Sequence, residues 1–382
     1  MDYAPLDEIR KSLKVKWHRI PVPREKLLEL SKRSDAQGWF QAGGFFGLFL
    51  LTGVVTWVFW AEKMWLFFAL SLFAHGTVAS FFGGAALHEL GHGTVFRTKW
   101  LNKLFLYLLS IFSWHDPFEF NSSHTYHHRY TLHPDGDREV LLPLEPSFIS
   151  PFMWQLFTID LFSQPGRITV GKGGLLSTIT ITFLRAFGIV GSSESPANEW
   201  IKALHDDQPD QTYNWRFWPR FHILSHGLVI VVAIFTGWWV LPLLVTSATH
   251  TAPWLAYLIG MTQHCGLIDN TNDFRKSVRS IRLDPFSEFL YWRMNWHTEH
   301  HMYAGVPCYN LKALYREIAD EMPEPRSLWG AWREMRDTWK RQQSDPDYAF
   351  DTPLPESAGF IGEDSSDELD SSIGDLAPRG LQ

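Results

Sequence analysis

Two apolar stretches stand almost end to end near the start of this 382-residue chain, and they restrict its fold more than any other feature. The first covers residues 39–60 and contains Phe45-Phe46-Gly47-Leu48-Phe49-Leu50-Leu51 and Val54-Val55-Thr56-Trp57-Val58-Phe59; the second covers residues 65–87. Each supplies the ~20 apolar residues that a helix needs to cross a hydrocarbon layer. Only Ala61-Glu62-Lys63-Met64 separates them, which leaves room for an antiparallel hairpin. A second pair repeats the plan, with residues 218–239, a turn at Leu241-Pro242, and residues 243–261. The expected fold is an all-α integral membrane protein of four transmembrane helices in two hairpins. Many of the 19 Trp sit at the edges of these runs, where amphipathic rings favour the headgroup region.

Charge orients the expected spans. Between residues 97 and 220 there are eleven Lys or Arg, against Lys63 alone in the first connecting loop and none in residues 237–246. The positive-inside bias therefore places both termini and the long middle segment in the cytoplasm. An endoplasmic reticulum and a bacterial inner membrane remain equally open. Residues 1–38, with nine Lys or Arg, six Asp or Glu, Pro21 and Pro23, read as a polar N-terminal segment and not as a secretory signal. Residues 101–114 and 148–162 are apolar but short, so they are expected to lie in the interface or to dip in and return.

The membrane domain is thus expected over residues 39–342, with a cytoplasmic helical cap built from residues 88–217 and 262–342. Much of the net charge of −7 lies in the last forty residues, 343–382, whose acidic, apolar-poor composition predicts disorder. No basic stripe suited to nucleic acid is present, and Cys265 and Cys308 form neither a disulfide framework nor a CxxC knuckle.

Nine of the 17 histidines fall in clusters beside the apolar runs: His88-Glu-Leu-Gly-His92, His124-Thr-Tyr-His127-His128, His264 after Gln263, and His297-Thr-Glu-His300-His301. On a helix, residues three or four apart share a face, so each cluster can aim two or three imidazoles at one point. A tetrahedral ion takes four ligands, and nine nitrogens are about twice too many. The count favours two ions. Outer hydrogen-bond partners for such imidazoles are expected among Glu89, Asp135, Asp137 and Asn295, since a ligating ring usually donates its other N–H to a carboxylate or carbonyl. The remaining histidines carry blander expectations. His18, His115 and His205 read as solvated side chains and His133 as a turn residue; His75 and His250 lie inside expected spans; His222 and His226 form a further HxxxH pair with no assigned ligand role.

An HxxxH box followed by two HxxHH boxes between hydrophobic hairpins resembles the membrane fatty acid desaturase and hydroxylase superfamily. His124-x-x-His127-His128-Arg129-Tyr130-Thr131 and Asn295-Trp296-His297-x-x-His300-His301-x4-Val306-Pro307 carry the resemblance, which spans roughly residues 80–320. It implies two iron ions held by His88, His92, His124, His127, His128, His264, His297, His300 and His301, with O2 as co-substrate and two electrons per turnover. The implied reaction is oxidation of an unactivated C–H bond in a lipid-like substrate, with desaturation of a fatty acyl chain preferred and hydroxylation of a fatty acyl, sphingolipid or carotenoid-like substrate as the alternative. Neither a cytochrome b5 motif nor a rubredoxin-type CxxC pair is fused to the chain, so a ferredoxin or a cytochrome b5 with its reductase is the expected donor. Arg275, Lys276, Arg279 and Arg282 are its expected landing site, or one for anionic lipid.

Two other classes compete. His88-Glu89-x-x-His92 is also the HExxH pattern of zinc metalloproteases, in which the glutamate is the general base, but the later boxes would then be surplus. A histidine-rich metal transporter would place ionisable residues at mid-membrane depth, whereas these clusters lie outside the runs.

Overall fold

The computed structural model describes residues 3–140, 151–162, 174–191 and 196–358. Among them, α1 (Asp35–Ala61), α2 (Trp65–Gly91) and α7 (Pro209–Thr236) are 27, 27 and 28 residues long and apolar enough to cross a membrane. α1 and α2 pack side by side as the expected hairpin, closed by a tight turn in which Lys63 takes φ 58° and Met64 N donates to Phe59 O at 2.9 Å. Leu50, Leu51, Val54, Leu66, Leu70, Leu224, Leu228 and Phe235 remain exposed on these helices. Such continuous apolar faces fit a hydrocarbon solvent and not water.

α7 starts nine residues before the expected 218 and ends at Thr236, where Gly237 turns left-handed at φ 72°. Pro219 lies within it. Its inner partner is α5 (Leu175–Ala186), a short apolar helix with Thr178 and Thr182 buried.

The expected fourth span, residues 243–261, does not form. The chain instead makes a π turn at Pro242–Thr246, a 3-10 turn at Ala248–His250 and a seven-residue helix, α8 (Trp254–Gly260). Pro253 explains the break: it lacks the N–H that a helix needs and disfavours helical geometry in the residue before it. Ala252 indeed takes φ 44°. Residues 158–160 run alongside the broken segment, with Ala252 N donating to Thr158 O at 2.6 Å and Asp160 N to His250 O at 2.7 Å. Side chains serve the freed carbonyls. His75 Nε2 reaches Leu244 O at 2.9 Å and Trp114 Nε1 reaches Thr246 O at 2.9 Å. Irregular backbone among apolar helices is tolerable only when its polar groups are satisfied by protein in this way.

Between α2 and α5, α3 (Lys99–Ser113) buries Leu101, Phe105, Leu106 and Leu109 and stops at Trp114, whose φ is 61°. Asp116 then caps α4 (Pro117–Tyr130), accepting from Phe118 N at 2.8 Å and Glu119 N at 3.2 Å, with Pro117 in the first turn. α4 runs beside α2 in the same direction. A Cβ on Gly83 would lie 2.4 Å from His115 Cε1, and one on Gly91 would lie 2.4 Å from Asn121 Oδ1. α3 and α4 thus bring the second histidine box to the same end of the helix bundle as the first.

Residues 297–302 form α9 (His297–Met302), introduced by two successive left-handed residues, Trp292 (φ 52°) and Arg293 (φ 58°). Gln41, buried at the start of α1, holds this turn by donating to Phe289 O at 2.9 Å and accepting from Arg293. α10 (Leu311–Ile318) and α11 (Leu328–Gln342) follow.

The structure overturns two further expectations. Residues 343–358 are ordered by contacts with the domain: Phe350 N donates to Gly266 O at 2.8 Å and Asp351 pairs with Lys276. The rest of the acidic tail lies outside the described residues. The basic group at 275–282 is not a free landing site, because Arg275 is wholly buried on Asp273 (2.7 Å), Arg279 is buried on Glu334 (2.6 Å), and exposed Arg282 pairs with Glu324 (3.0 Å). These cations clamp their own segment.

Gly76 marks the closest approach of α2 to the broken segment, since a Cβ there would fall 2.3 Å from Thr251 O, whereas Gly47 has open space around it. Gly76→Ala should cost about 1–3 kcal/mol as overpacking, and Gly47→Ala should be neutral or gain up to about 1 kcal/mol from helix propensity. Thermal unfolding of the two detergent-solubilised variants checks this; equal midpoints would refute the close approach.

Candidate metal centre

Helix geometry sorts the histidines of each box. At roughly 100° per residue, positions i and i+4 lie about 40° apart, whereas position i+3 turns to the other side of i. In α4, His124 and His128 accordingly face one point while His127 faces another; in α9, His297 and His301 go together while His300 diverges. The nine clustered histidines thus converge into two groups, His88, His92, His124, His128 and His300 in one, His127, His264, His297 and His301 in the other. Within each group the nearest ring nitrogens all lie within 4.8 Å of one another. The groups adjoin, with the rings of His128 and His301 stacked at 4.3 Å.

In the first group, Nε2 of His128 lies 2.9 Å from that of His124 and 3.2 Å from that of His300, and His92 Nε2 lies 3.1 Å from His300 Nε2 and 3.3 Å from His124 Nε2. In the second group, His297 Nε2 lies 3.0 Å from His264 Nε2 and 3.2 Å from His301 Nε2. Two nitrogens bonded to one ion at about 2.1 Å sit about 3.0 Å apart at a right angle and about 3.4 Å apart at the tetrahedral angle. The separations match shared coordination.

The outward nitrogens are held from behind. His88 Nδ1 faces Glu89 Oε1 at 2.9 Å, His127 Nδ1 faces Asp137 Oδ2 at 2.9 Å, and His124 Nδ1 faces Glu139 Oε1 at 3.2 Å. His264 Nδ1 donates to Ser277 O at 3.0 Å, and Thr131 Oγ1, which donates to His127 O, lies 3.1 Å from His301 Nδ1. A ring that gives its Nδ1–H to an acceptor keeps a bare lone pair on Nε2, the form that binds metal. His88 Nε2 is buried with no hydrogen-bond partner among the described residues.

Charge points the same way. Burial, reinforced by neighbouring imidazoles, depresses His92, His128, His297, His300 and His301 well below the usual histidine range, and burial brings His264 down to about 3. Burial lowers His127 too, but the Asp137 carboxylate outweighs it and leaves that ring raised. Burial alone would raise Glu139; the hydrogen bond from His124 and the charges of His124 and His127 hold it at about 2. Mostly neutral imidazoles, with the ionised Glu139 carboxylate behind His124, form a donor set that accepts cations and suits iron, copper, nickel or zinc.

Two expected outer partners are elsewhere. Asp135 is exposed in its turn, and Asn295 spends its amide on Ile281 O at 2.9 Å because the 281–295 loop closes there. Glu139, Thr131 and Ser277 take such places instead; the nearness of Thr131 and Glu139 to the second box was visible in the sequence, and Ser277 gave no such signal. His222, His226, His75, His133 and His250 lie outside both groups. His226 stacks on Trp114 at 3.8 Å and reaches Ile111 O at 3.0 Å, and His133 bonds Tyr130 O at 3.0 Å. His205, expected to be solvated, stacks on Trp215 at 3.9 Å and contacts Glu119 at 3.3 Å. Glu89, bonded behind His88, is turned away from the converged nitrogens, which removes the position that a metalloprotease base would need.

A family model described as Fatty acid desaturase matches residues 63–332, well over half of the chain. The chain belongs to the fatty acid desaturase family. It is also 25% identical over 274 residues to an sn-1 oleoyl-lipid 12-desaturase of Picosynechococcus sp., in an alignment covering 62% of this chain and 65% of that protein. The chain thus spans just under two thirds of that relative's length. Family membership and three apolar helices make this desaturase-family chain a membrane protein.

Asp137→Asn and Glu139→Gln remove the carboxylates behind His127 and His124, and each should lower metal affinity about 10- to 100-fold. Asp135→Asn should leave it unchanged. Competition with a chelator of known affinity, read by elemental analysis, distinguishes them.

Proposed function

We propose that this protein is a membrane-bound di-iron oxidoreductase that desaturates a fatty acyl chain, using O2 and two electrons per turnover. One observation carries the reading: nine histidines from distant segments meet as adjoining sets of five and four, with inward Nε2 lone pairs and outward nitrogens held by carboxylates, a carbonyl and a hydroxyl. Two irons bound there supply the ability to activate O2 and remove hydrogen from an unactivated C–H bond. The name of the relative, an oleoyl-lipid desaturase, favours hydrogen removal over oxygen insertion and an acyl lipid as substrate.

The chain's own residues set the conditions for that chemistry. Glu89, Asp137 and Glu139 fix ring orientation and tautomer, so the ligand set is organised before an ion arrives. All four rings of the second group are buried, as are His88, His124 and His300, which keeps bulk water from quenching a strong oxidant. His92 and His128 are only half-buried, so a substrate carbon approaches the five-histidine set from their side. The Lys and Arg bias of residues 97–220 supports a cytoplasmic orientation of this end of the bundle.

Expression in a host with a compatible reductase system should yield lipids lighter by about two mass units, one double bond, on mass spectrometry; a gain of about sixteen would mean hydroxylation instead. His127→Ala strikes the four-histidine set and His300→Ala the five-histidine set. Each should abolish product and lower bound iron from two per chain. Full iron and full activity in both variants would overturn the assignment.

A further inference from the structure

Removal of two hydrogens from an acyl chain with reduction of O2 to two waters consumes two electrons and two protons, and the proposed reaction must draw those electrons from outside the chain. The segment before α1 offers an entry. Trp17 is half-exposed, its indole Nε1 donating to Arg129 O at 2.9 Å, and its ring stacks on buried Phe274 at 4.0 Å with 10° between planes. Phe274 in turn lies 5.4 Å from the ring of His301, a member of the four-histidine set. Two aromatic contacts therefore connect the protein surface to that set.

The surface around Trp17 is basic and has room for a partner. Lys14, Lys16 and Arg129 are exposed and make no ion pair among the described residues, in contrast to Arg275, Arg279 and Arg282. Beside them opens a depression of about 500 Å³ lined by Lys14, Lys16, His133 and residues 268–272, in which Asp269 is the one carboxylate. Asn272 ties the segment down, accepting from His18 N at 2.8 Å and donating to Lys16 O at 3.2 Å. The basic face is thus carried by a segment bonded to the domain and not by a free arm.

We propose that this face, centred on Trp17 with Lys14, Lys16 and Arg129 around it, docks an acidic one-electron carrier protein whose electrons pass through Trp17 and Phe274 to the His301 side of the metal pair. The inference rests on the reading under Proposed function. In each transfer the carrier is oxidised by one electron and the metal pair reduced by one; two transfers, O2, two protons and the two hydrogens taken from the acyl chain balance as one C=C bond and two waters. Charge complementarity selects an acidic partner, because rim charges of one sign raise encounter rates and make them depend on salt.

The test uses the full-length, iron-loaded protein in detergent, with an acidic [2Fe–2S] ferredoxin and the soluble haem domain of cytochrome b5 as probes. Lys16→Glu combined with Arg129→Glu should weaken binding of at least one probe about tenfold at low ionic strength and flatten its salt dependence. The same loss is expected in metal-depleted protein, so this arm does not depend on the activity of the loaded enzyme. Trp17→Leu should leave iron content unchanged but, at saturating carrier, slow stopped-flow reduction several-fold, with Trp17→Phe restoring it. Reduction by methyl viologen, which needs no docking face, should be equal in all variants. Wild-type binding by the charge-reversed variant overturns the docking face, as does loss of binding to anionic-lipid vesicles with carrier binding intact. Undiminished carrier-driven reduction of Trp17→Leu overturns the electron path. A protein that holds no iron fails at the proposed function, whereas an iron-loaded protein that methyl viologen reduces but neither carrier binds fails only here.

Discussion

Imidazole nitrogens at the centre of this protein face one another at 2.9–3.3 Å with their lone pairs inward, an arrangement that is repulsive until positive charge sits between them. Protonation is the simplest source of that charge, and burial opposes it for most of these rings. A bound cation is the other source. Much of the architecture can be understood as what it takes to bring those rings together: the α1–α2 hairpin returns the first box to its starting end, the α3–α4 pair brings the second beside it, and Gln41 fastens the turn that presents the third.

The hairpin and the choice of histidines were legible because they depend on local pattern. An apolar run of helical length and an i, i+3, i+4 spacing each carry their geometry with them. Which ring joins which group was not foreseen: each box was expected to aim two or three imidazoles at one point, whereas the i+3 rings of α4 and α9, His127 and His300, face the other group. The partners behind the rings were less accessible. Asp137 and Glu139 lie two residues apart in one turn, and both reach the site while Asp135 points to solvent; that outcome depends on how residues 131–139 wrap against α6 (Pro196–Asp207), where Arg138 meets Glu199 at 2.6 Å.

The fourth span misled for a physical reason. Hydrophobicity over residues 243–261 measures the preference for an apolar environment and says nothing of whether the backbone there must be helical. Pro253 and the run Ser247-Ala-Thr-His-Thr251 break the helix, and His75, Trp114 and residues 158–160 supply the hydrogen bonds that the helix would have made. Those partners are remote in sequence. The basic residues at 275–282 misled likewise, since charge in a string carries no record of the acids that will meet it.

The division of the boxes between two groups also shapes how the protein comes into being. His92 and His300 are 208 residues apart, yet they touch in one cluster, and neither cluster is complete until the last box has been synthesised. A nascent chain displays the first two boxes as open sets of imidazoles, ready for whichever divalent ion binds them most tightly, and that order favours copper over iron. With the proposed irons as the resident ions, the order of translation leaves the first two boxes open to other divalent ions until residue 301 has been made, and correct loading becomes a matter of cellular metal supply as much as of the finished binding site.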